Sequence, residues 1–119
     1  MHELSLAVPI AEAVEREAGG RPVQAVVLAV GALSGVVPEA LELALTVALA
    51  GTSAAGARVE WHRVPGRGAC RTCGQEFTME DLLDPCPVCA APGARPLSGT
   101  RLILESIVLG PPAAGPGEE

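Results

Sequence analysis

Four cysteines stand in two matched pairs, Cys70-Arg-Thr-Cys73 and Cys86-Pro-Val-Cys89, with twelve residues between them. Two CxxC pairs at this separation can form two knuckles that close one tetrahedral thiolate site. Each short loop aims backbone N–H groups at the sulfurs, which helps them carry negative charge. Gly74 after the first pair and Pro87 inside the second suit such tight turns. Four thiolates saturate tetrahedral zinc and leave no open position for water or substrate. The spacing therefore predicts a structural metal that holds residues 70–92 folded and does no chemistry. Iron is the rival occupant, because rubredoxin-type sites also use CxxC pairs. A redox disulfide explains two matched pairs less well.

The second chemical signal is the opening, Met1-His2-Glu3. A free α-amine, the His2 backbone nitrogen and a His2 ring nitrogen can form fused chelate rings. With the backbone amide deprotonated, three nitrogens lie in one plane. Ni²⁺ and Cu²⁺ favour such tetragonal nitrogen sets, whereas Zn²⁺ has no d-electron preference for them. The Glu3 backbone nitrogen or carboxylate can supply a fourth donor. A bulky second residue should also hinder removal of Met1 and keep His2 in register. A short motif of this kind is weak alone, since a histidine at position two is usually just solvated. His62, the other histidine, reads as a structural residue on a strand.

Composition narrows the field. The 119-residue chain has the length of one domain, or one domain with a small satellite. Nearly half its residues are apolar, but Trp61 and Phe77 are its only aromatics, so the core must be aliphatic. Net charge is −6 and there is no lysine. That argues against phosphate backbones as ligands, because few counterions would be released. No apolar run reaches membrane-spanning length, and the opening lacks the charge, apolar stretch and cleavage site of a signal peptide. The expected compartment is the cytoplasm, with neither nucleic acid nor membrane as partner, and cysteines there read as metal ligands before disulfides.

The elements that must position these residues can be read from periodicity. Ala7, Ile10, Ala11, Val14 and Ala18 recur at helical spacing, and Gly19-Gly20 supplies the stop. Pro9 is awkward inside such a helix, as it removes a hydrogen bond; it belongs in the first turns or kinks the helix. The apolar run from Pro22 to Gly31 reads as a strand buried on both faces. Pro38 fits the first position of a second helix, with Glu39 complementing its dipole. Residues 57–64 alternate and predict a partly exposed second strand; residues 100–109 predict a third. Residues 65–98 read as loop, contributing little core. The fold class expected is α/β (α+β): a small, mostly three-stranded sheet with two helices, plus a zinc-ribbon-like subdomain holding the four cysteines. The boundaries expected are 1–66 with 98–109 for the nickel-binding α/β domain, 67–97 for the zinc-binding subdomain, and 110–119 as a disordered tail.

Taken together, "MHELSLA", "VGALSGVVPEALELAL", "GTSAAGARVEWHRVP", "CRTCGQEF…CPVC" and "SGTRLILESIVL" resemble the HypA/HybF family of hydrogenase nickel-incorporation proteins. The resemblance runs to about Leu109, and the opening combined with paired CxxC motifs is its specific part. It implies a nickel metallochaperone for the [NiFe]-hydrogenase large subunit precursor, with the GTPase HypB as usual partner. In some organisms the family also serves urease maturation. By motif position, nickel as transient cargo falls to Met1, His2 and Glu3, and structural zinc to Cys70, Cys73, Cys86 and Cys89. A rubredoxin-like electron carrier and a zinc-ribbon adaptor are the competing classes. No enzyme is expected: there is no Ser/His/Asp set, and "GTSAAG" lacks the lysine of a P-loop.

Overall fold

The structure, a computed structural model, describes residues 3–111. Its elements are α1 (Glu3–Ala18), β1 (Val23–Gly31), α2 (Pro38–Leu49), β2 (Arg58–Val64), β3 (Gly66–Ala69), β4 (Glu76–Met79), β5 (Arg95–Ser98) and β6 (Leu102–Leu109). They form two three-stranded sheets, ordered β2-β1-β6 and β4-β3-β5. The chain divides into two compact units. Within the described residues, the first holds 3–28, 37–60 and 104–111, and the second holds 29–36 and 61–103.

The first unit is built on apolar periodicity. α1 buries Ala7, Ala11, Val14 and Ala18, and α2 buries Leu41, Leu45 and Leu49. These are i, i+3/i+4 stripes, and the two helices pack on one another. The small alanines of α1 allow a close approach. Pro9 sits inside α1, on an exposed position, and the helix continues past it. Gly19 ends α1 with φ of 58°, its N–H donating to the Glu15 carbonyl at 3.2 Å. α2 begins with Pro38 in its first turn and Glu39 beside it, as expected from the fixed φ of proline and the helix dipole. A Glu15 carboxylate oxygen accepts from Ser53 Oγ at 2.9 Å and from Ser53 N at 3.3 Å, joining α1 to the loop after α2. β1 is the central strand of its sheet and is buried at every position but Gln24, which is why its sequence is continuous rather than alternating.

The second unit corrects the loop reading of residues 65–98. β3 pairs antiparallel with β4, setting Gly66 opposite Met79 and Gly68 opposite Phe77. β3 also pairs antiparallel with β5, with an irregularity between Arg67 and Gly68. Four-residue strands reading "GRGA" and "RPLS" carry no apolar alternation, so their pairing is tertiary in origin. The segment also has a core of its own: Leu33, Cys70, Phe77, Met79, Cys86 and Ala94 form one buried cluster, with Ala91 against it. The glycines of β3 make room for it. A Cβ on Gly68 would strike the Met79 sulfur, and one on Gly66 would lie 2.6 Å from Leu33 Cγ.

Candidate metal centre

The two knuckles are built alike. In the first, Gly74 N–H donates to the Cys70 carbonyl at 3.0 Å and Cys70 N–H to the Gln75 carbonyl at 2.9 Å. In the second, Ala90 N–H donates to the Cys86 carbonyl at 2.8 Å and Cys86 N–H to the Ala91 carbonyl at 3.0 Å. The turn requires a left-handed residue one position after each pair. Gly74 takes it with φ of 80°; Ala90 takes it with φ of 65° despite its Cβ. Arg71 Nε donates to the Gly93 carbonyl at 2.7 Å and ties the first knuckle to the chain leaving the second.

These turns bring all four sulfurs within 4.8 Å of one another. Cys70 and Cys89 lie 3.5 Å apart, and Cys73 and Cys86 lie 3.7 Å apart. A tetrahedron with metal–sulfur bonds of about 2.3 Å has edges of about 3.8 Å, so the donor set fits zinc without rearrangement of these pairs. Cys70 and Cys86 are buried, whereas Cys73 and Cys89 are exposed, so the site lies at the surface with its inner half in the apolar cluster. Among the described residues this is the one group of three or more His, Cys, Asp or Glu side chains close enough to share an ion.

Backbone amides favour the anion at every one of the four sulfurs, and contacts among the sulfurs divide them. Cys73 N–H (3.4 Å) and Thr72 N–H (3.3 Å) point at the Cys70 sulfur and bring that thiol down to about 6. The Cys89 and Val88 amides lower Cys86 in the same way, with Val88 N at 3.4 Å. Cys89 is pushed the other way: the Ala91 amide favours its anion, but the Cys70 sulfur, desolvation and the other two sulfurs outweigh it, up to about 12. Cys73 is likewise raised, the Gln75 amide being overcome by desolvation and by Cys86 and Cys70. Two sulfurs are thus prepared as thiolates, and two await a cation to displace their protons.

Of the nickel ligands expected from the opening, Met1 and His2 lie outside the described residues. Glu3 is the first residue of α1, half-buried, in the turn where a carboxylate complements the helix dipole. His62 is exposed on β2 and belongs to no group of potential ligands among the described residues. Sequence reasoning missed Leu33, Phe77 and Met79 as supports of the cysteine site. The alternation of Phe77 and Met79 in "EFTM" was a usable signal, but nothing local marks Leu33.

Comparison with known proteins extends beyond the centre to nearly the whole chain. Residues 1–109 match a family model described as "HypA: Hydrogenase/urease nickel incorporation, metallochaperone, hypA". The chain is 46% identical over 107 residues to a hydrogenase maturation factor HypA of Geobacter metallireducens, covering 90% of this chain and 97% of that one. Identity and coverage are the same for the Geobacter sulfurreducens protein of that name. In fold it is similar to the solution structure of the Ni metallochaperone HypA from Helicobacter pylori. That likeness has a TM-score of 0.59 at 17% identity and spans 92% of this chain and 97% of the other.

Proposed function

The chain belongs to the HypA family of nickel-incorporation metallochaperones, and on that premise we propose that it binds Ni²⁺ at its N-terminus and delivers it to the [NiFe]-hydrogenase large subunit precursor. The observation that carries this reading is the family match from residue 1, which includes Met-His-Glu, on a chain whose four cysteines lie within 4.8 Å of one another. The Met1 amine, the His2 backbone and ring nitrogens and Glu3 are the nickel donors. They adjoin the start of α1, whose N-terminal dipole end disfavours a cation, and the Glu3 carboxylate offsets that. Such a site suits a carrier: donors at a chain end can be exchanged one at a time with an acceptor, and protonation weakens them as pH falls.

Cys70, Cys73, Cys86 and Cys89 hold structural zinc, which supplies folding energy to the second unit and has no open coordination position. The function needs no bond-making chemistry by the chain itself. HypB, a GTPase, is the partner expected on this reading, and urease maturation factors are a second class of partner. The setting is the cytoplasm.

Nickel titration of untagged protein with native Met1 tests the reading, beside His2→Ala and a variant with one residue added before Met1. Both changes are expected to abolish specific 1:1 nickel binding while the thiolate-bound metal stays in place. Parental nickel binding by both variants would remove the N-terminus as the nickel site and bring the zinc-ribbon adaptor forward.

A further inference from the structure

Leu33 lies 37 residues before the first cysteine, yet it shares one buried cluster with Cys70 and Cys86. It is 6% exposed in a turn between β1 and α2, where a solvated residue would be ordinary. The backbone around it is bound to two distant parts of the chain. Gly31 N–H donates to the Arg101 carbonyl at 2.9 Å, Ala32 N–H to the Val64 carbonyl at 2.9 Å, and Leu33 N–H to the Gly99 carbonyl at 2.7 Å. Val64 is the last residue of β2, and Gly99 and Arg101 lie in the link between β5 and β6. The approach is close enough that a Cβ on Gly31 would collide with the Gly99 backbone, and one on Gly99 with Pro65 and Gly66. Three consecutive amides therefore staple the ends of the long strands, and the side chain on the third is buried in the cluster that also holds Cys70 and Cys86.

We propose that Leu33 is a positioning residue for the cysteine metal centre, linking the occupancy of that centre to the hydrogen-bonded junction of residues 31–33 with 64, 99 and 101. The inference rests on the cysteines holding a metal. Filling the tetrad fixes Cys70 and Cys86, which belong to the buried cluster that forms the wall for Leu33. With that wall fixed, the Leu33 side chain is held in the cluster and its N–H stays on Gly99. Emptying the tetrad loosens the wall, and the staple loses its anchor. Linkage makes the effect reciprocal: if the metal stabilises the staple, a firm Leu33 must raise metal affinity by the same factor. Gly66 is part of the device, since its missing Cβ is the space that Leu33 Cγ occupies.

The test uses the whole chain, with amide exchange followed at residues 31–33 in metal-loaded and metal-free protein. Cobalt(II) serves as the probe ion, because its absorption bands report tetrahedral thiolate coordination. Metal removal from the parent should speed exchange at Gly31, Ala32 and Leu33 by about tenfold or more, while Val14 in α1 keeps its protection. Metal-loaded Leu33→Ala should exchange at these amides like the metal-free parent and should bind cobalt about tenfold more weakly in an equilibrium chelator competition. Leu33→Met, which keeps the volume, should restore both. The proposal is overturned if amides 31–33 of the parent exchange equally with and without metal, or if Leu33→Ala retains cobalt and protection as the parent does. Should Leu33→Ala fail to fold, the parental comparison decides. A parent showing no thiolate-bound cobalt spectrum sinks the metal reading itself, and with it this proposal, before any variant is made.

Discussion

Ala90 occupies in the second knuckle the left-handed place that Gly74 occupies in the first. A Cβ there costs about 1–2 kcal/mol. Ala90→Gly removes that strain but gives the unfolded chain more freedom, worth roughly 0.5–1 kcal/mol in the opposite direction. The expected net effect is a gain of up to about 1 kcal/mol in the stability of the second unit, read by thermal unfolding. The thiols make a prediction of their own. Cys70 is held at about 6 and is already a thiolate at neutral pH, whereas Cys89 is held at about 12 and must give up a proton to bind. Metal uptake at pH 7 should therefore release protons, and apparent affinity should rise about tenfold per pH unit for each proton displaced. A chelator competition run from pH 6 to about 8 checks the slope; a flat profile would contradict the arrangement of amides around the sulfurs. At this scale the sequence was informative wherever chemistry depends on residue type and spacing. The cysteines announced themselves. Leu33 did not, because its importance comes from a contact with residues far along the chain, and one leucine in a turn resembles any other.

Pro9 is exposed in the interior of α1, so its ring packs against little. It still removes one helical hydrogen bond and crowds the preceding turn, at a cost of about 3 kcal/mol in a helix interior. Pro9→Ala is expected to raise the stability of the first unit by about 1–3 kcal/mol, measured by denaturant unfolding. No change would mean that the helix accommodates the proline elsewhere. The long elements were readable because each has enough residues for a period to emerge. α1 and α2 show their stripes, and β1 shows its unbroken apolar run between Pro22 and Gly31. β3, β4 and β5 have four residues apiece; only β4 alternates, through Phe77 and Met79, and β3 contains two glycines that look like loop residues. Those glycines are there because Met79 and Leu33 fill the places their side chains would take. The property that hides the strand in sequence is the one that lets it pack.

For the molecule as a whole, the two units draw on different sources of stability. The first buries the aliphatic stripes of two helices and β1 up to Leu28. The second buries a cluster of six residues, two of them cysteines, and adds Ala29 and Val30 from the end of β1. A cluster of that size is too small to hold many ordered residues without a cross-link or metal. Stripping the metal is therefore expected to lower the unfolding temperature of the second unit while helical circular dichroism is largely retained. Loss of all helical signal in the same step would show that the units unfold together. Composition and patterning conveyed the helices, the three long strands and the cysteine segment. They did not convey that Leu33 joins two of the cysteines in one buried cluster, since sequence order separates it from Cys70 by three elements, α2, β2 and β3.

The staple at residue 33 bears on how the chain is made. On a ribosome, Cys70 and Cys89 emerge within nineteen residues of each other, so the knuckles can take their metal early. Leu33 has left the exit tunnel long before, but the carbonyl that receives its N–H belongs to Gly99. That acceptor arrives after the last cysteine. Synthesis thus presents the ion site first and its anchor later, and a nascent chain that has captured its ion offers Leu33 an ordered wall to close upon.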